Sequence, residues 1–439
     1  MKVFFRSLGC PKNQVDGETM VGYLQRSGAQ LVATPEAADC MVINTCGFIA
    51  SAKEESIEAI LELAAAKNNN GRPKRLVVTG CLAQRYVDDL VKQIPEIDAV
   101  LGLDQYDRIT ELLEQDVALV APPATSYREF ALPSSSEKRS YAYLKIADGC
   151  DSGCSYCAIP LIRGRYRSRR LEAVVADARR YLEAGALELN LIAQDVGRWG
   201  FDLNSSPLEL LEALESLPGD FWLRLYYLHP RWLSDELLEW LAGSQKFCGY
   251  LEIPIQHASD KLLRAMKRGY DLAYLEKLVA RLHKHLPRLV WRSSFIVGFP
   301  GETNADFERL LEFVDQHQIS RGGVFAYSRE EGTEAFALGR RPAQQRVAVR
   351  QEQLENLISQ HAERLNRSLV GKVLPLLPEE YDRERGVLIG RIFADAPEID
   401  FRVEVKTPAR DYRNFTKVRI IDTTPVGFIG ELVAEGEPC

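Results

Sequence analysis

Nowhere in its 439 residues does the chain carry the eighteen or more consecutive apolar residues of a membrane span. The opening MKVFFRSLGC offers only Val3, Phe4 and Phe5 before Arg6 interrupts, too little for the apolar core of a signal peptide. A lipoprotein reading of Ser7-Leu8-Gly9-Cys10 fails on the same ground. Basic excess is missing too: 55 Lys and Arg against 62 Asp and Glu leave a net charge of −7. That argues against a chain-wide electrostatic grip on a polyanion and is compatible with a basic protein partner. Strong compositional bias is also absent. With 46% apolar and 27% charged residues, disorder, collagen and coiled coil are excluded.

What is present is length for about three domains, and nine cysteines. A chain with no leader and no span is expected in the cytoplasm. There cysteines bind metal or react rather than form disulfides. Nine is odd, so at least one stands outside any pairing.

The first third alternates strands and helices. Val3–Ser7, Cys40–Asn44 and Leu76–Thr79 read as strands. Asp16 is expected to cap a helix carrying Met20, Val21 and Leu24, with Gly28 as its stop. A second helix is expected over Ala52–Lys67, with Asn68–Gly71 as its loop, and a further helical pattern runs to about Glu114. Such a repeat predicts a parallel sheet covered on both faces. The prolines and serines between Ala121 and Ser140 read as a linker. A second series follows, with strands expected at Tyr141–Ala147, Leu187–Ala193, Trp222–Leu228, Tyr250–Ile255, Val290–Val297 and Gly323–Tyr327. Helices are expected at Glu172–Glu183, Leu272–His285, Asn304–His317 and Gln344–Leu369. Six βα units predict a partial (β/α)6 barrel. Five short β-prone runs, from Val373 to Val433, predict a small antiparallel barrel. The expected domains are 1–117, a linker 118–135, 136–366 and 367–439. The fold class is therefore α/β with a C-terminal β-barrel.

Chemistry concentrates in Gly149-Cys150-Asp151-Ser152-Gly153-Cys154-Ser155-Tyr156-Cys157, a C-x3-C-x2-C loop after the first strand of the second series. Three thiolates can hold three irons of a 4Fe-4S cluster and leave the fourth open to a ligand. Structural zinc usually closes with a fourth Cys or His, and none lies within ten residues on either side. A second set is dispersed. Cys10, Cys46 and Cys81 each follow a predicted strand, so parallel pairing would bring them to one sheet edge. Gly9, Gly47 and Gly80 adjoin them, as close backbone approach to a bulky cluster requires. Spacing alone leaves a three-thiolate site and ordinary buried cysteines equally open.

The C-x3-C-x2-C loop heading a βα series resembles the radical S-adenosylmethionine superfamily. Ser7-Leu8-Gly9-Cys10-Pro11-Lys12-Asn13, Asn44-Thr45-Cys46 and Thr79-Gly80-Cys81 resemble the N-terminal domain of methylthiotransferases, and the tail resembles a TRAM barrel. The likeness spans nearly the whole chain. It implies two 4Fe-4S clusters, on Cys150, Cys154 and Cys157 and on Cys10, Cys46 and Cys81. It also implies S-adenosylmethionine as methyl donor and radical source. Tyr156 matches an aromatic position near the cofactor adenine, though a packing role fits it equally. Gln194 and Asp195 occupy the place where related enzymes hold the cofactor's methionine amine. No catalytic residue beyond the cluster ligands is assigned. Cys40, Cys248 and Cys439 match no ligand position.

Within this family the substrate is an adenosine of transfer RNA or an aspartate of a ribosomal protein. Pro11-Lys12-Asn13, Leu191–Asp195, Phe325–Thr333 and Ala394–Asp400 resemble the second type. That implies insertion of a methylthio group at the aspartate β-carbon in protein twelve of the small ribosomal subunit, with transfer RNA as the alternative. The implied partners are that protein, an electron donor of the flavodoxin or ferredoxin kind and a sulfur donor, with the enzyme a monomer free of membrane. Charge agrees: from Asn366 onward eleven Lys and Arg face thirteen Asp and Glu, a net of −2, where an RNA-tracking barrel should lean basic. The counter-signal is Arg163, Arg165, Arg167, Arg169 and Arg170, free on sequence grounds to touch RNA, carboxylates or solvent. His257, with Gln256 and Gly298–Glu302, borders the same expected barrel face and reads first as a structural histidine.

Overall fold

The computed structural model describes residues 1–67, 75–130, 139–339 and 341–433. The expected Asn68–Gly71 loop, the last residues (131–135) of the expected linker and Cys439 lie outside them. The first sheet holds β1 (Lys2–Ser7), β2 (Gln30–Val32), β3 (Cys40–Thr45), β4 (Arg75–Gly80), β5 (Ala99–Leu101) and β6 (Ala118–Leu119). All are parallel, in the order β2-β1-β3-β4-β5-β6. Every residue of β3 is buried, as a central strand with helices on both faces demands. Those helices are α1 (Pro11–Arg26), α2 (Ala50–Lys67) and α3 (Cys81–Gln93). Two readings fail here. Cys10, followed by Pro11, occupies the N-cap of α1, and Asp16 lies inside the helix with its carboxylate buried. The helical pattern expected to Glu114 ends at Gln93, because β5 joins the sheet. β6 falls at the start of the stretch expected as a linker.

The second sheet is an open barrel of six parallel strands. They are β7 (Tyr141–Lys145), then, past a two-strand ladder β8 (Ala147–Asp148) and β9 (Arg167–Ser168), β10 (Glu188–Ile192), β11 (Trp222–Leu225), β12 (Phe247–Glu252), β13 (Val290–Val297) and β14 (Arg321–Ala326). The order is β14-β13-β12-β11-β10-β7, without closure. Helices α4 (Ile159–Arg163), α5 (Leu171–Glu183), α6 (Pro207–Glu215), α7 (Asp235–Gly243), α8 (Asp260–Ala265), α9 (Leu272–His285) and α10 (Asn304–Gln316) alternate with these strands. The larger core forms where helical residues such as Val174, Leu278 and Leu310 meet Leu189, Leu223 and Leu251 of the strands. α11 (Gln344–Leu369) leads out, three residues past the boundary expected at 366.

The tail closes as a barrel, β15 (Val373–Asp382), β16 (Val387–Arg391), β17 (Arg402–Lys406), β19 (Gly427–Leu432) and β18 (Thr416–Thr424) in that spatial order. It is antiparallel except between β17 and β19, which run parallel. Its core is continuous with residues of the open barrel: Ile392, Ala394 and Ala396 share one cluster with Tyr143, Ile192, Tyr226 and Tyr250. Charges seal this junction. Arg321 donates to Asp395 at 2.9 Å, Arg292 to Asp400 at 2.8 Å and the Tyr250 hydroxyl to Asp400 at 2.7 Å. Glu188 accepts from Arg224 at 2.6 Å and from Arg391. Among the described residues no helix is long and apolar enough to cross a membrane.

Candidate metal centres

Cys10, Cys46 and Cys81 follow β1, β3 and β4, three adjacent parallel strands, so the topology delivers them to one edge. The adjoining glycines let their loops meet. A Cβ on Gly9 would stand 2.9 Å from Cys46 Cβ, and one on Gly47 would stand 2.8 Å from the Leu82 backbone nitrogen. Gly80, at φ +97°, would drive a Cβ into the Thr45 carbonyl and the Asn44 side chain. The glycines thus serve the approach of one cysteine loop to the next, a different reason from the approach to a cluster inferred from sequence. Asn13, fully buried, ties the loops together: its Nδ2 donates to Leu8 O at 2.7 Å and Thr45 O at 3.2 Å. Cys81 Sγ lies 3.9 Å from its Oδ1. Burial pushes the Cys46 thiol up to about 12 and the Cys81 thiol up as well. At Cys10 burial also acts upward, but Lys12 and Arg163 outweigh it and hold the thiol below its ordinary value. A bound cation of high charge suits such a set, because it would compensate thiolates that burial otherwise disfavours.

Cys150, Cys154 and Cys157 lie half-buried on one loop. The loop starts tightly: Cys150 N donates to Gly164 O at 3.1 Å, and a Cβ on Gly149 would meet the Arg165 carbonyl. Its middle is tied to the end of α8 by Ser155 Oγ donating to Ala265 O at 2.7 Å. Arg268, absent from the sequence reading, reaches in from beyond α8. Its guanidinium donates to Cys154 Sγ at 3.1 Å, Tyr156 Oη at 3.3 Å, Tyr270 Oη at 2.9 Å and Pro254 O at 2.8 Å. No short motif marks an arginine in Met266-Lys267-Arg268-Gly269, so only the fold reveals it. Among the described residues no three His, Cys, Asp or Glu side chains gather tightly enough to hold one metal ion. A cubane asks for a wider spacing, since each thiolate binds its own iron.

A buried charge network joins the two cysteine groups. Arg163 Nη2 donates to Cys81 Sγ at 3.3 Å and to Asp16 at 2.8 Å, while Nη1 donates to Asp148 at 2.9 Å. Lys145 donates to the same two carboxylates, at 2.7 and 2.6 Å. Asp148 precedes the Gly149-Cys150 turn, so it anchors one loop while Arg163 reaches the other. Gln194 donates its Nε2 to Asp148 at 3.0 Å, leaving its Oε1 buried with no partner among the described residues. That orphaned acceptor beside the Cys150 loop fits an ammonium donor such as the amine expected there. Asp195 is differently engaged: Trp232 Nε1 donates to it at 2.7 Å, and burial pushes its carboxyl up to about 7.

The arginine cluster is resolved. Arg163, Arg167 and Arg169 are buried in ion pairs with Asp148, Asp104 and Asp177, leaving Arg165 and Arg170 exposed. These three clamp the fold and offer no track for RNA. His257 is fully buried, accepts at Nδ1 from Ala258 and Ser259 and faces Glu302 at 3.4 Å. Cys40 and Cys248 are core residues, the first pushed up to about 12 by burial.

The matched family models are the uncharacterized protein family UPF0004 over residues 2–102, the radical SAM superfamily over 144–314 and the TRAM domain over 370–433. The chain is 41% identical to a ribosomal protein uS12 methylthiotransferase RimO of Trichlorobacter lovleyi, covering 99% of this chain and 98% of the relative. It is 44% identical to the RimO of Desulforudis audaxviator over 95% and 94%. Among solved structures, the cobalamin-dependent S-adenosylmethionine radical enzyme OxsB aligns at TM-score 0.53 and 12% identity, over 83% of this chain and 56% of that one. The radical S-adenosylmethionine methyltransferase TsrM of Kitasatospora setae aligns at 0.51 and 16%, over 76% of each. At such identities these two speak for the fold alone. An open parallel barrel headed by a C-x3-C-x2-C loop, with a cysteine-bearing α/β domain before it and a TRAM barrel after it, defines a radical S-adenosylmethionine methylthiotransferase. By identity along nearly its full length, the chain belongs to the ribosomal protein uS12 methylthiotransferase RimO family.

Proposed function

We propose that this chain inserts a methylthio group at the β-carbon of an aspartate in ribosomal protein uS12. The observation that carries this reading is 40–44% identity to RimO proteins over 95–99% of the chain. In this reading Cys150, Cys154 and Cys157 hold one 4Fe-4S cluster and Cys10, Cys46 and Cys81 a second. When bound, the clusters and S-adenosylmethionine supply the electron, the carbon-centred radical and the methyl and sulfur that are moved.

The chain's own residues do the rest. Gln194 Oε1 accepts a hydrogen bond from the cofactor's amino group, and Tyr156 offers a ring face to its adenine. Asp195, held by Trp232, fixes the end of β10 from which Gln194 acts. Arg268 places one cationic N–H on the Cys154 sulfur and Arg163 one on Cys81, favouring the more negative state of whatever those sulfurs bind. Lys145, Asp16 and Asp148 hold this region rigid and dry, which protects reactive species from water. Burial of Arg163, Arg167 and Arg169, with the net −2 of the tail, favours a basic protein substrate over RNA. The enzyme acts as a cytoplasmic monomer, served by a flavodoxin- or ferredoxin-like electron donor and a separate sulfur donor.

The test is to incubate anaerobically reconstituted, reduced protein with uS12-bearing small subunits and with transfer RNA separately. A methylthio mass gain on one aspartate is expected; a modified nucleoside with untouched uS12 would overturn the reading. Cys46→Ala should lower iron from about eight to about four per chain while cofactor cleavage persists. Cys154→Ala should abolish that cleavage.

A further inference from the structure

Two residues beyond Cys10, Lys12 carries a buried side chain whose charge acts on the Cys10 thiol without forming an ion pair with it. It is 7% exposed, and its Nζ stands 3.2 Å from the centroid of the Tyr227 ring. Among the described residues it makes no side-chain hydrogen bond and no ion pair. Its buried neighbours are matched. Lys145 and Arg163 share Asp16 and Asp148, Arg292 has Asp400, and Arg268 has four acceptors. Leaving an ammonium out of water without a hydrogen-bonded anion is costly, and an aromatic face compensates only part of that cost.

The direction of the cation matters. Lys12 springs from the Cys10 turn of the first sheet and feels the Cys10 thiol first, yet Tyr227 follows β11 and the next electrostatic neighbour, Glu252, ends β12. Lys12 therefore crosses from the cysteine edge of one sheet to the carboxyl-end mouth of the open barrel, where such folds gather their ligands. Glu252 lies close without forming an ion pair. Tyr227 itself sits at φ +55°, a left-handed conformation that a bulky residue adopts only where its surroundings impose it. A strained aromatic floor beneath an unpaired ammonium is a built seat for an anion.

We propose that Lys12 is the counter-ion for the substrate's side-chain carboxylate and so selects an acidic residue for modification. This rests on the reading that the substrate is an aspartate of a protein. A carboxylate one bond from the reacting carbon would reach this mouth and accept from Nζ, supplying the hydrogen-bonded anion that the side chain lacks. An adenine ring has no anionic group so placed, so the same cation that favours an acid gives a nucleobase nothing.

The test uses the reconstituted full chain, kept oxidised so that nothing turns over, and two uS12 peptides, one with the target aspartate and one with asparagine there. Wild-type protein should bind the aspartate peptide about ten- to a hundredfold more tightly, the range of one hydrogen bond between charged groups. Lys12→Met should bring the aspartate peptide down to the affinity of the asparagine peptide and leave the latter unmoved. Lys12→Arg should keep most of the preference, and it carries the test if Lys12→Met fails to retain about eight irons per chain. The same preference in wild type and Lys12→Met would overturn the role of Lys12 while uS12 modification stands. No preference in wild type, with a modified nucleoside and untouched uS12, would overturn both.

Discussion

Arg163 touches a sulfur of one cysteine group and the carboxylate that anchors the other: Cys81 Sγ at 3.3 Å and Asp148 at 2.9 Å. Both contacts are buried, and the same guanidinium holds Asp16 of α1. Arg163 and Lys145, which both pair with Asp16 and Asp148, thus tie the two cysteine groups together.

Arg163→Met should destabilise the protein by about 3–5 kcal/mol, because two buried carboxylates would keep only the Lys145 ion pair among the described residues. Arg163→Lys keeps the charge but loses the fork that serves both acids, so it should lie between. Anaerobic denaturant titration reads both. An unchanged midpoint in Arg163→Met would show that the network contributes nothing.

Glu330 predicts a pH dependence. Burial acts to raise its carboxyl, but Lys53, Ser328 and Arg85 outweigh this and hold it below the ordinary 4.5. A carboxylate held low in the folded state contributes stability that is full above its unfolded pKa and is lost as pH falls through its folded pKa. Wild-type stability should therefore fall more steeply below about pH 4.5 than that of Glu330→Gln. At neutral pH the variant should be weaker by about 2–3 kcal/mol. Thermal melts from pH 3 to pH 7, compared between the two, give the answer; parallel curves would count against it.

Two glycines separate backbone strain from steric exclusion. Gly28, at φ +85°, has nothing within 4 Å of an added Cβ, whereas Gly80, at φ +97°, has the Thr45 carbonyl in the way. Gly28→Ala should cost about 1–2 kcal/mol. Gly80→Ala should cost clearly more, and it should lower the iron content because the Cys46 and Cys81 loops can no longer approach. Equal stability of the two variants would mean that the loops yield freely.

At the other end of the open barrel, Asp400→Ala strips Arg292 of its partner and Tyr250 of its acceptor, both within the protein. A loss of about 3–5 kcal/mol is expected. Glu398→Ala removes only an exposed acceptor of the Tyr141 hydroxyl and should stay within about 1 kcal/mol. Urea midpoints for the two, measured side by side, distinguish a sealed junction from a loose one.

The fold was largely legible because its signals are local. Cys10, Cys46 and Cys81 each end an apolar run and adjoin a glycine, and the six barrel strands alternate with amphipathic helices. β2, β5 and β6 escaped because two or three residues carry no periodicity. Asp16 was mistaken for a helix cap because an acid ahead of an apolar stripe resembles one, although Pro11 already marked the true start. The site was legible in its thiols and hidden in its charges. Glu330 meets Arg85 across 245 positions of sequence, and Arg163, Arg167 and Arg169 look from sequence like a basic surface. Whether a charge faces water or its opposite is decided by packing, which no window of neighbouring residues records.

The junction at Asp395 and Asp400 has one more consequence. Because buried opposite charges rivet the C-terminal barrel to the strands of the larger one, the outer wall of the small barrel stays at a constant reach from the cysteine mouth. A macromolecule gripped on that wall would present its target atom at a distance set by the protein like a ruler. Selection among otherwise similar residues can then come from geometry as well as from contact.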